Sequence, residues 1–445
     1  MRLTLIKPNI GRREHSLYVD EARMEPLNLG VLAALTPPDV DVKMYDDRME
    51  DIPYGESTDL VAITVETYTA RRTYEIASEY RSRGVKVVIG GVHATLFPDE
   101  VAPYADALVL SDAETIWADV VEDARAGRLK PKYQAAPGRP QTGVLTRRDI
   151  FEGKGYIPIS LMQFTRGCRF ACSFCAVSKY FDKRHYIRDI DETIAEVADQ
   201  KRKLIFFVDD NICTSHAALK DLCRALIPMR INWVSQGSID MTRDLELMDL
   251  MVQSGCLGHI IGFESITRDS LVEAKKGPNV PRFDNYETQL EVLRDYGMQT
   301  WAAFTLGYDH DTRDSVLRTL DFALENHFTF AAFNILMPYP NTPLYEKMTR
   351  ENRHLYDGRW WLHPEYRFNN AAFVPTRMTP DELTDVCFQA RREFNSIPSL
   401  LHRFLDLKTN MRTLIRAKTF WQFNPVFRKE VFKKHGMRFG LFGHA

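Results

Sequence analysis

Short apolar runs alternate with amphipathic stretches along most of this chain, and this alternation limits the fold to classes that layer helices on a parallel sheet. In the first series the apolar runs predict strands at 3–6, 40–45, 60–65, 85–89 and 107–110. Because these strands are apolar throughout rather than on alternate residues, they indicate a parallel sheet that is covered on both faces. We therefore predict that residues 1–126 form a doubly wound, Rossmann-like α/β domain.

Glycine and proline then become frequent, and a second series of strands follows. Their density between 127 and 143 predicts a linker, which we place at 127–150. The second series predicts strands at 159–164, 204–208, 231–235, 259–264, 300–306 and 330–336, with amphipathic helices between them. Six such units over roughly 180 residues predict a partial, TIM-like (β/α)6 barrel at 151–345. For residues 346–445 we predict a mainly helical region.

The composition excludes several classes of protein. The chain has 445 residues, is 44% hydrophobic and carries a formal net charge of −2. It is therefore not disordered, and it lacks the positive field that favours nucleic acid as a partner. We find no apolar segment of the length that a signal peptide or a membrane-spanning helix needs, so we expect a cytoplasmic protein. The odd number of cysteines, seven, argues against a disulfide framework.

Three of the seven cysteines lie within eight residues, directly after the first strand of the second series. Cys168, Cys172 and Cys175 have the spacing C-x3-C-x2-C on a glycine-containing loop. Thiolates this close can converge on one soft metal centre, and three ligands leave one iron of a cubane iron–sulfur cluster open to a substrate. A structural zinc site, with His185 as its fourth ligand, is the alternative.

The cysteine motif resembles the signature of the radical S-adenosylmethionine (radical SAM) superfamily. The resemblance implies that the three cysteines hold a 4Fe–4S cluster, that the open iron binds S-adenosylmethionine, and that Phe174 packs near the adenine. It also implies that the reduced cluster cleaves S-adenosylmethionine to a 5′-deoxyadenosyl radical. By the same resemblance, further residues at predicted strand ends are candidates for binding the cosubstrate: Asp209, Gln236, Ser238 and Glu264.

The N-terminal series resembles the cobalamin-binding branch of this superfamily, through residues 90–95, 98–100 and 147–149. The resemblance implies cobalamin as a further cofactor. Its candidate contacts are Gly90, Gly91, His93 and Glu114. The chain departs from the branch at 111–114, where Ser-Asp-Ala-Glu stands in place of Gly-Glu-Gly-Glu and keeps only the final Glu. The D-x-H-x-x-G motif of cobalt-ligating domains is also absent from the sequence, as is common in the branch.

These resemblances imply an enzyme, and we expect a cobalamin-dependent C-methyltransferase that acts on an unactivated carbon of a small-molecule or lipid substrate. The radical would remove a hydrogen atom from the substrate, methylcobalamin would deliver the methyl group, and a second S-adenosylmethionine would remethylate the cobalamin. An electron donor such as flavodoxin or ferredoxin would reduce the cluster, and no nucleic acid would take part. Two alternatives remain open: a cobalamin-type cyclase or oxidative rearrangement enzyme without net methyl transfer, and a zinc-binding, non-catalytic interaction protein.

The last part of the chain, 401–445, is basic and aromatic. It contains ten Lys or Arg residues against two acidic residues, Asp406 and Glu430. A solvated helical face is one interpretation of this composition. Peripheral membrane contact is another, and it would involve Arg412, Arg416, Lys418, Trp421 and Phe427.

Overall fold

The computed structural model describes residues 1–11, 23–140 and 143–441. These residues form two compact units. The first unit comprises the described residues of 1–157, 356–368 and the chain from 436, and the second comprises 158–355 and 369–435. Residues 141 and 142 of the predicted linker lie outside the described residues.

A six-stranded parallel sheet forms the first unit. Its strands are β1 (Arg2–Lys7), β2 (Asp41–Asp46), β3 (Leu60–Thr64), β4 (Lys86–Gly90), β5 (Ala107–Leu110) and β6 (Lys132–Gln134). The helices are α1 (Leu27–Leu35), α2 (Ala70–Ser82), α3 (Val92–Leu96), α4 (Pro98–Val101) and α5 (Trp117–Arg125). The strand order β2-β1-β3-β4-β5-β6 reverses at β1, which confirms the predicted doubly wound fold. In this fold, ligands bind beyond the carboxyl ends of the strands.

The segment that we predicted as a linker contributes the last strand of this sheet. β6 pairs with β5, and Tyr133 at its centre is 6% exposed. The hydroxyl of Tyr133 donates to Asp123 at 2.9 Å, which fixes the edge strand to α5. A strand of three residues has no measurable hydrophobic period, and Pro131 directly before it is typical of a loop. The sequence therefore could not distinguish this edge strand from a linker.

The second unit contains a second six-stranded parallel sheet. Its strands follow one another in chain order: β7 (Ser160–Met162), β10 (Leu204–Phe207), β11 (Asn232–Gly237), β12 (Cys256–Glu264), β13 (Gln299–Leu306) and β14 (Phe330–Ile335). A separate antiparallel hairpin is formed by β8 (Thr165–Gly167) and β9 (His185–Ile187). Six parallel strands in chain order, joined by helical crossovers, confirm the predicted partial barrel.

Amphipathic helices connect the barrel strands, and the N-termini of several of them are capped by polar side chains. Asp189 accepts backbone N–H groups at the start of α7, and Ser215 does so at the start of α8. In α8 the buried residues recur at helical spacing, which turns one face towards the sheet. The helices are α6 (Ala176–Tyr180), α7 (Ile190–Asp199), α8 (His216–Leu226), α9 (Leu245–Gln253), α10 (Arg268–Glu273), α11 (Tyr286–Asp295), α12 (Arg313–Glu325) and α13 (Pro343–Arg350).

The C-terminal region is divided between the two units, which differs from the single helical region that we predicted at 346–445. Its helices, α14 (Pro380–Phe394), α15 (Ile397–Phe404) and α16 (Leu414–Lys434), belong to the second unit. Residues 356–368 and 436–441 instead join the first unit. There, the rings of Trp360 and Phe439 pack against Tyr68 with centroid distances of 5.0 and 5.8 Å. No helix among the described residues has the length and apolar character to cross a bilayer.

Candidate functional site

The loop that carries the three cysteines lies between β8 and α6, beyond the carboxyl end of the first barrel strand, β7. Cys168 and Cys175 are half-buried, and Cys172 is buried. The backbone N–H of Ser173, in the middle of the loop, donates to the carbonyl of Ala274 at 2.9 Å. The three thiols therefore stand together on one loop that is fixed to the chain after α10, at the position that the sequence predicts.

Two carboxylates at the end of β10 hold the chain that leads to the first cysteine. Asp209 is fully buried and accepts the N–H of Phe164 at 2.9 Å through Oδ1. Its Oδ2 accepts both the N–H and the hydroxyl of Thr165, each at 2.7 Å. Asp210 accepts the N–H of Gly167 at 2.7 Å. Burial raises the pKa of Asp209 to about 7, although the hydrogen bonds from Thr165 and Phe164 oppose the shift.

The structure gives Asp209 a different role from the cosubstrate contact that we predicted. Its carboxylate already accepts three donors from Phe164 and Thr165, in the chain just before the cysteine loop, and so supports that chain. Gln236 donates from Nε2 to the carbonyl of Asp209 at 3.1 Å. Asn211 donates from Nδ2 to the hydroxyl of Ser238 at 3.1 Å and lies 4.0 Å from Sγ of Cys168. Gln236 and Ser238 thus join the ends of β10 and β11 beneath the thiols.

Glu264 ends β12 in a left-handed conformation, with φ of 64°, where the register against β13 shifts. Its Oε1 accepts from Nζ of Lys276 at 2.7 Å, and its Oε2 accepts the hydroxyl of Thr305 at 2.6 Å. The side chains of Glu264 and Lys276 are only 8% and 14% exposed. A Cβ at Gly262 would collide with the charged atoms of both residues, so the glycine leaves room for the ion pair.

Lys276 is a residue of this site that the sequence reasoning missed. Burial alone would lower the pKa of Lys276, but the charges of Glu264 and Cys172 hold that pKa above its usual value. Burial raises the pKa of Cys172 to about 12 and also raises the pKa of Cys175, while the charge of Lys276 opposes both shifts. Lys276 therefore lies near enough to both thiols to stabilise the thiolates that a metal requires. Its place in the site follows only from its three-dimensional contact with Glu264 and its closeness to the thiols, which no local sequence pattern indicates.

The donor set of the loop fits a cubane cluster. Three thiolates on one loop can each bind a different iron atom of such a cluster, which leaves its fourth iron without a protein ligand. His185, the fourth ligand of the zinc alternative, lies opposite Gly167 in the β8–β9 hairpin. Phe174 is half-buried on the cysteine loop.

In the first unit, the predicted cobalamin contacts lie at or just after the carboxyl ends of β4 and β5. Gly91 has φ of 115°, and a Cβ there would stand 2.7 Å from the carbonyl oxygen of Val65. The backbone therefore requires glycine at this position irrespective of any ligand. At Gly90 a Cβ would lie 3.2 Å from the carbonyl oxygen of Val109. Glu114 is half-buried in the short turn after β5.

His93 is fully buried, and both of its ring nitrogens have partners inside the first unit. Nδ1 lies 3.2 Å from the hydroxyl of Thr67, and Nε2 lies 3.0 Å from Oε1 of Glu100. The same oxygen of Glu100 accepts from the hydroxyl of Tyr74 and from the indole N–H of Trp361, each at 2.9 Å. The structure therefore contradicts a cobalamin contact through the ring nitrogens of His93, which instead join α3 to the turn after β3 and, through Glu100 of α4, to Trp361.

The profile of the Radical SAM superfamily matches residues 162–323, which contain the cysteine loop, Glu264 and Lys276. A second similarity spans nearly the whole chain. The bacteriochlorophyllide d C-12(1)-methyltransferase of Chlorobaculum tepidum is 30% identical to it over 413 residues, and the alignment covers 90% of this chain and 88% of that protein. The chain therefore belongs to the radical SAM enzymes, in the branch that joins a cobalamin-binding-type α/β domain to the barrel. The cofactors of this superfamily are a 4Fe–4S cluster and S-adenosylmethionine.

Other similar proteins include an anaerobic magnesium-protoporphyrin IX monomethyl ester cyclase of Cereibacter sphaeroides, which is 24% identical over 378 residues covering 77% of this chain and 60% of that protein. Among solved structures, OxsB with aqua-cobalamin and S-adenosylmethionine bound has a TM-score of 0.67 at 13% identity, covering 97% of this chain and 72% of that chain. The methyltransferase TsrM from Kitasatospora setae has a TM-score of 0.60 at 19% identity, with coverage of 79% and 76%. These two structures confirm the fold of the α/β unit and the barrel.

Proposed function

We propose that this enzyme is a cobalamin-dependent C-methyltransferase that acts on an unactivated carbon of a small-molecule substrate. The observation that carries the proposal is the alignment of 90% of the chain with a methyltransferase, which includes the three-thiol loop. That relative is named for a bacteriochlorophyllide, so a tetrapyrrole is the first substrate class to test. A lipid is the second class.

The three cysteines of the loop would hold the cluster. Cobalamin would bind beyond the carboxyl ends of β4 and β5, near Gly90, Gly91 and Glu114. When bound, the cluster supplies the electron that splits S-adenosylmethionine into methionine and a 5′-deoxyadenosyl radical, and the cobalamin supplies the methyl group that the substrate radical accepts. Because both ring nitrogens of His93 have partners inside the first unit, His93 would not take part in holding the corrin.

The protein's own side chains would bind and orient the cosubstrate. The Glu264 carboxylate is suited to accept from the ammonium or from the ribose hydroxyls of S-adenosylmethionine, and its ion pair with Lys276, at 2.7 Å, holds it in position. The ring of Phe174 would pack against the adenine. Asp209 would keep the cysteine loop in place, because each of its oxygens holds a backbone donor of the preceding chain. Gln236 and Ser238 would line the same mouth.

Anaerobic turnover with S-adenosylmethionine that carries a trideuterated methyl group tests the proposal. We expect the label in the tetrapyrrole product, with one S-adenosylhomocysteine and one 5′-deoxyadenosine formed for each methyl group transferred. A Cys172→Ala chain is the matched control and should form neither 5′-deoxyadenosine nor labelled product. Substrate-independent release of 5′-deoxyadenosine alone, with no labelled product from tetrapyrrole or lipid candidates, would contradict the proposal.

The similarity to the anaerobic cyclase favours one other function, oxidative ring formation without net methyl transfer. The same experiment separates the two functions. A cyclase would form 5′-deoxyadenosine and a product that has lost hydrogen and gained no deuterium. A methyltransferase would form a product that gains the whole labelled methyl group.

A further inference from the structure

The second unit exposes an unusual concentration of apolar side chains. Among the described residues, fourteen large apolar side chains are exposed, and eight of them lie between 397 and 421. We call these eight residues the apolar patch: Ile397, Leu401, Leu405, Leu407, Met411, Leu414, Ile415 and Trp421. Single exposed apolar residues are normal on a protein surface, but eight of them within one segment of 25 residues indicate a contact surface.

The helix α15 presents its apolar stripe to solvent. Ile397, Leu401 and Leu405 recur at intervals of four residues and are 61%, 50% and 68% exposed, whereas Leu400 and Arg403 are buried on the opposite side. A surface helix normally places such a stripe against the core. Trp421 of α16 joins the patch through Phe404, with ring centroids 5.1 Å apart.

Buried polar contacts fix this segment, so its apolar side chains cannot turn inward. Arg403 donates to the carbonyl oxygens of Phe328 and Thr329 at 3.0 and 2.7 Å. Asn410 is fully buried, and its Nδ2 donates to the carbonyl of Arg403 at 2.8 Å. Arg416 donates from Nε to the carbonyl of Gly297 at 2.7 Å. These anchors precede β13 and β14, so the patch lies at the amino ends of the barrel strands. The cysteine loop lies at their carboxyl ends, and the patch is therefore separate from the candidate site.

Cations predominate among the exposed charges around the patch. Lys408, Arg412 and Lys418 are exposed, and the exposed acid beside them, Asp295, is paired with Lys408 at 2.9 Å. The one acid in the stretch, Asp406, is buried and bonded to Arg294 at 2.9 Å. In a two-fold contact with a second copy, the cations of one patch would face the cations of the other. Their repulsion would oppose such a contact. An anionic surface with an apolar interior complements both the charges and the leucines.

We propose that the apolar patch docks on an anionic lipid bilayer. The leucines and Trp421 would enter the boundary between headgroups and acyl chains, and the exposed lysines and arginine would contact the phosphates. The sequence analysis placed membrane contact in this segment, but two of the residues it named for that contact are not accessible. Arg416 is buried, and Phe427 packs against Trp301 with centroids 4.6 Å apart, so neither can reach a membrane. In this arrangement the barrel's carboxyl end faces away from the bilayer, and docking is independent of the reaction catalysed.

The test is co-sedimentation of the full chain with vesicles of phosphatidylcholine alone and of phosphatidylcholine mixed with phosphatidylglycerol. We expect binding to the mixed vesicles only, and quenching of Trp421 fluorescence by brominated lipid, which a Trp421→Phe chain should lack. The variant Leu401→Gln/Leu405→Gln/Leu407→Gln/Leu414→Gln should reduce partitioning by more than about ten-fold. Each of Arg412→Gln and Lys418→Gln should reduce it by roughly five-fold.

A matched control removes exposed apolar side chains from elsewhere in the same unit. Leu245→Gln/Val252→Gln/Val272→Gln replaces residues that are 55%, 40% and 55% exposed, and it should leave vesicle binding unchanged. Absence of binding to the mixed vesicles would overturn the proposal, as would equal loss in the patch and control variants. Dimers in light scattering that the patch variant abolishes, without vesicle binding, would assign the patch to a second copy instead.

Discussion

Replacing Lys276 with methionine removes the cation that compensates Glu264 and keeps an apolar side chain of similar length. Because Glu264 and Lys276 are 8% and 14% exposed, water can replace little of the lost ion pair. Removing one partner of a buried pair costs about 3–5 kcal/mol, since the other charge stays buried and unpaired. The hydrogen bond from Thr305, at 2.6 Å, persists in the variant. We therefore expect the free energy of unfolding to fall by about 3 kcal/mol, at the lower end of that range.

Denaturant titration followed by circular dichroism, at pH 7, measures this loss. Glu264→Gln should cost a similar amount, and the double variant Glu264→Gln/Lys276→Met should cost less than the sum of the single variants by at least about 1 kcal/mol. Arg224→Met is the control. It removes a pair with Glu246 whose side chains are 50% and 60% exposed, and it should cost less than about 0.5 kcal/mol. A loss for Lys276→Met no larger than the control, or full additivity in the double variant, would refute the reasoning.

Three further substitutions test single features of the two units. Gly91→Ala should destabilise the first unit by more than about 2 kcal/mol in thermal denaturation. The reason is that φ is 115° and the new Cβ would stand 2.7 Å from the carbonyl oxygen of Val65. Unchanged stability would show that the backbone relaxes there. His93→Gln should lower the melting temperature yet leave the absorption spectrum of bound cobalamin unchanged, and a shifted spectrum would instead place His93 on cobalt. Burial lowers the pKa of His259 from 6.5 to about 4, so the unfolded chain binds the proton more tightly. The free energy of unfolding should therefore fall by about 2 kcal/mol between pH 7 and pH 5 through this residue, and His259→Leu should show a correspondingly shallower dependence on pH.

The elements that the sequence predicts well are those whose signals are local. Strands such as β3 and β5 are buried at every position and are continuous apolar runs in the sequence. The cysteine motif is local too, and its position after the first barrel strand follows from the order of the elements. The fold class of both sheets and the position of the thiol loop can therefore be predicted from the sequence.

The features that the sequence did not reveal depend on contacts between residues far apart in the chain. Asp209 follows a strand end, which suits either binding the cosubstrate or supporting the cysteine loop. Only its hydrogen bonds to Phe164 and Thr165, more than forty positions earlier in the chain, distinguish the two roles. The sequence leaves His93 as a candidate cobalamin contact, and only its contact with Glu100 in the fold shows that its ring nitrogen is engaged. The return of 356–368 to the first unit likewise rests on rings that pack across the chain.

The cofactor content of the full chain, purified without oxygen from cobalamin-fed cells, tests the central claim most directly. Iron, acid-labile sulfide, zinc and corrinoid would be measured together for each chain. We predict about four iron atoms, about four sulfides and about one corrinoid for each chain, with the iron lost and the corrinoid retained in a Cys172→Ala chain. Iron without corrinoid would contradict methyl transfer through cobalamin, and zinc without iron would contradict the cluster itself.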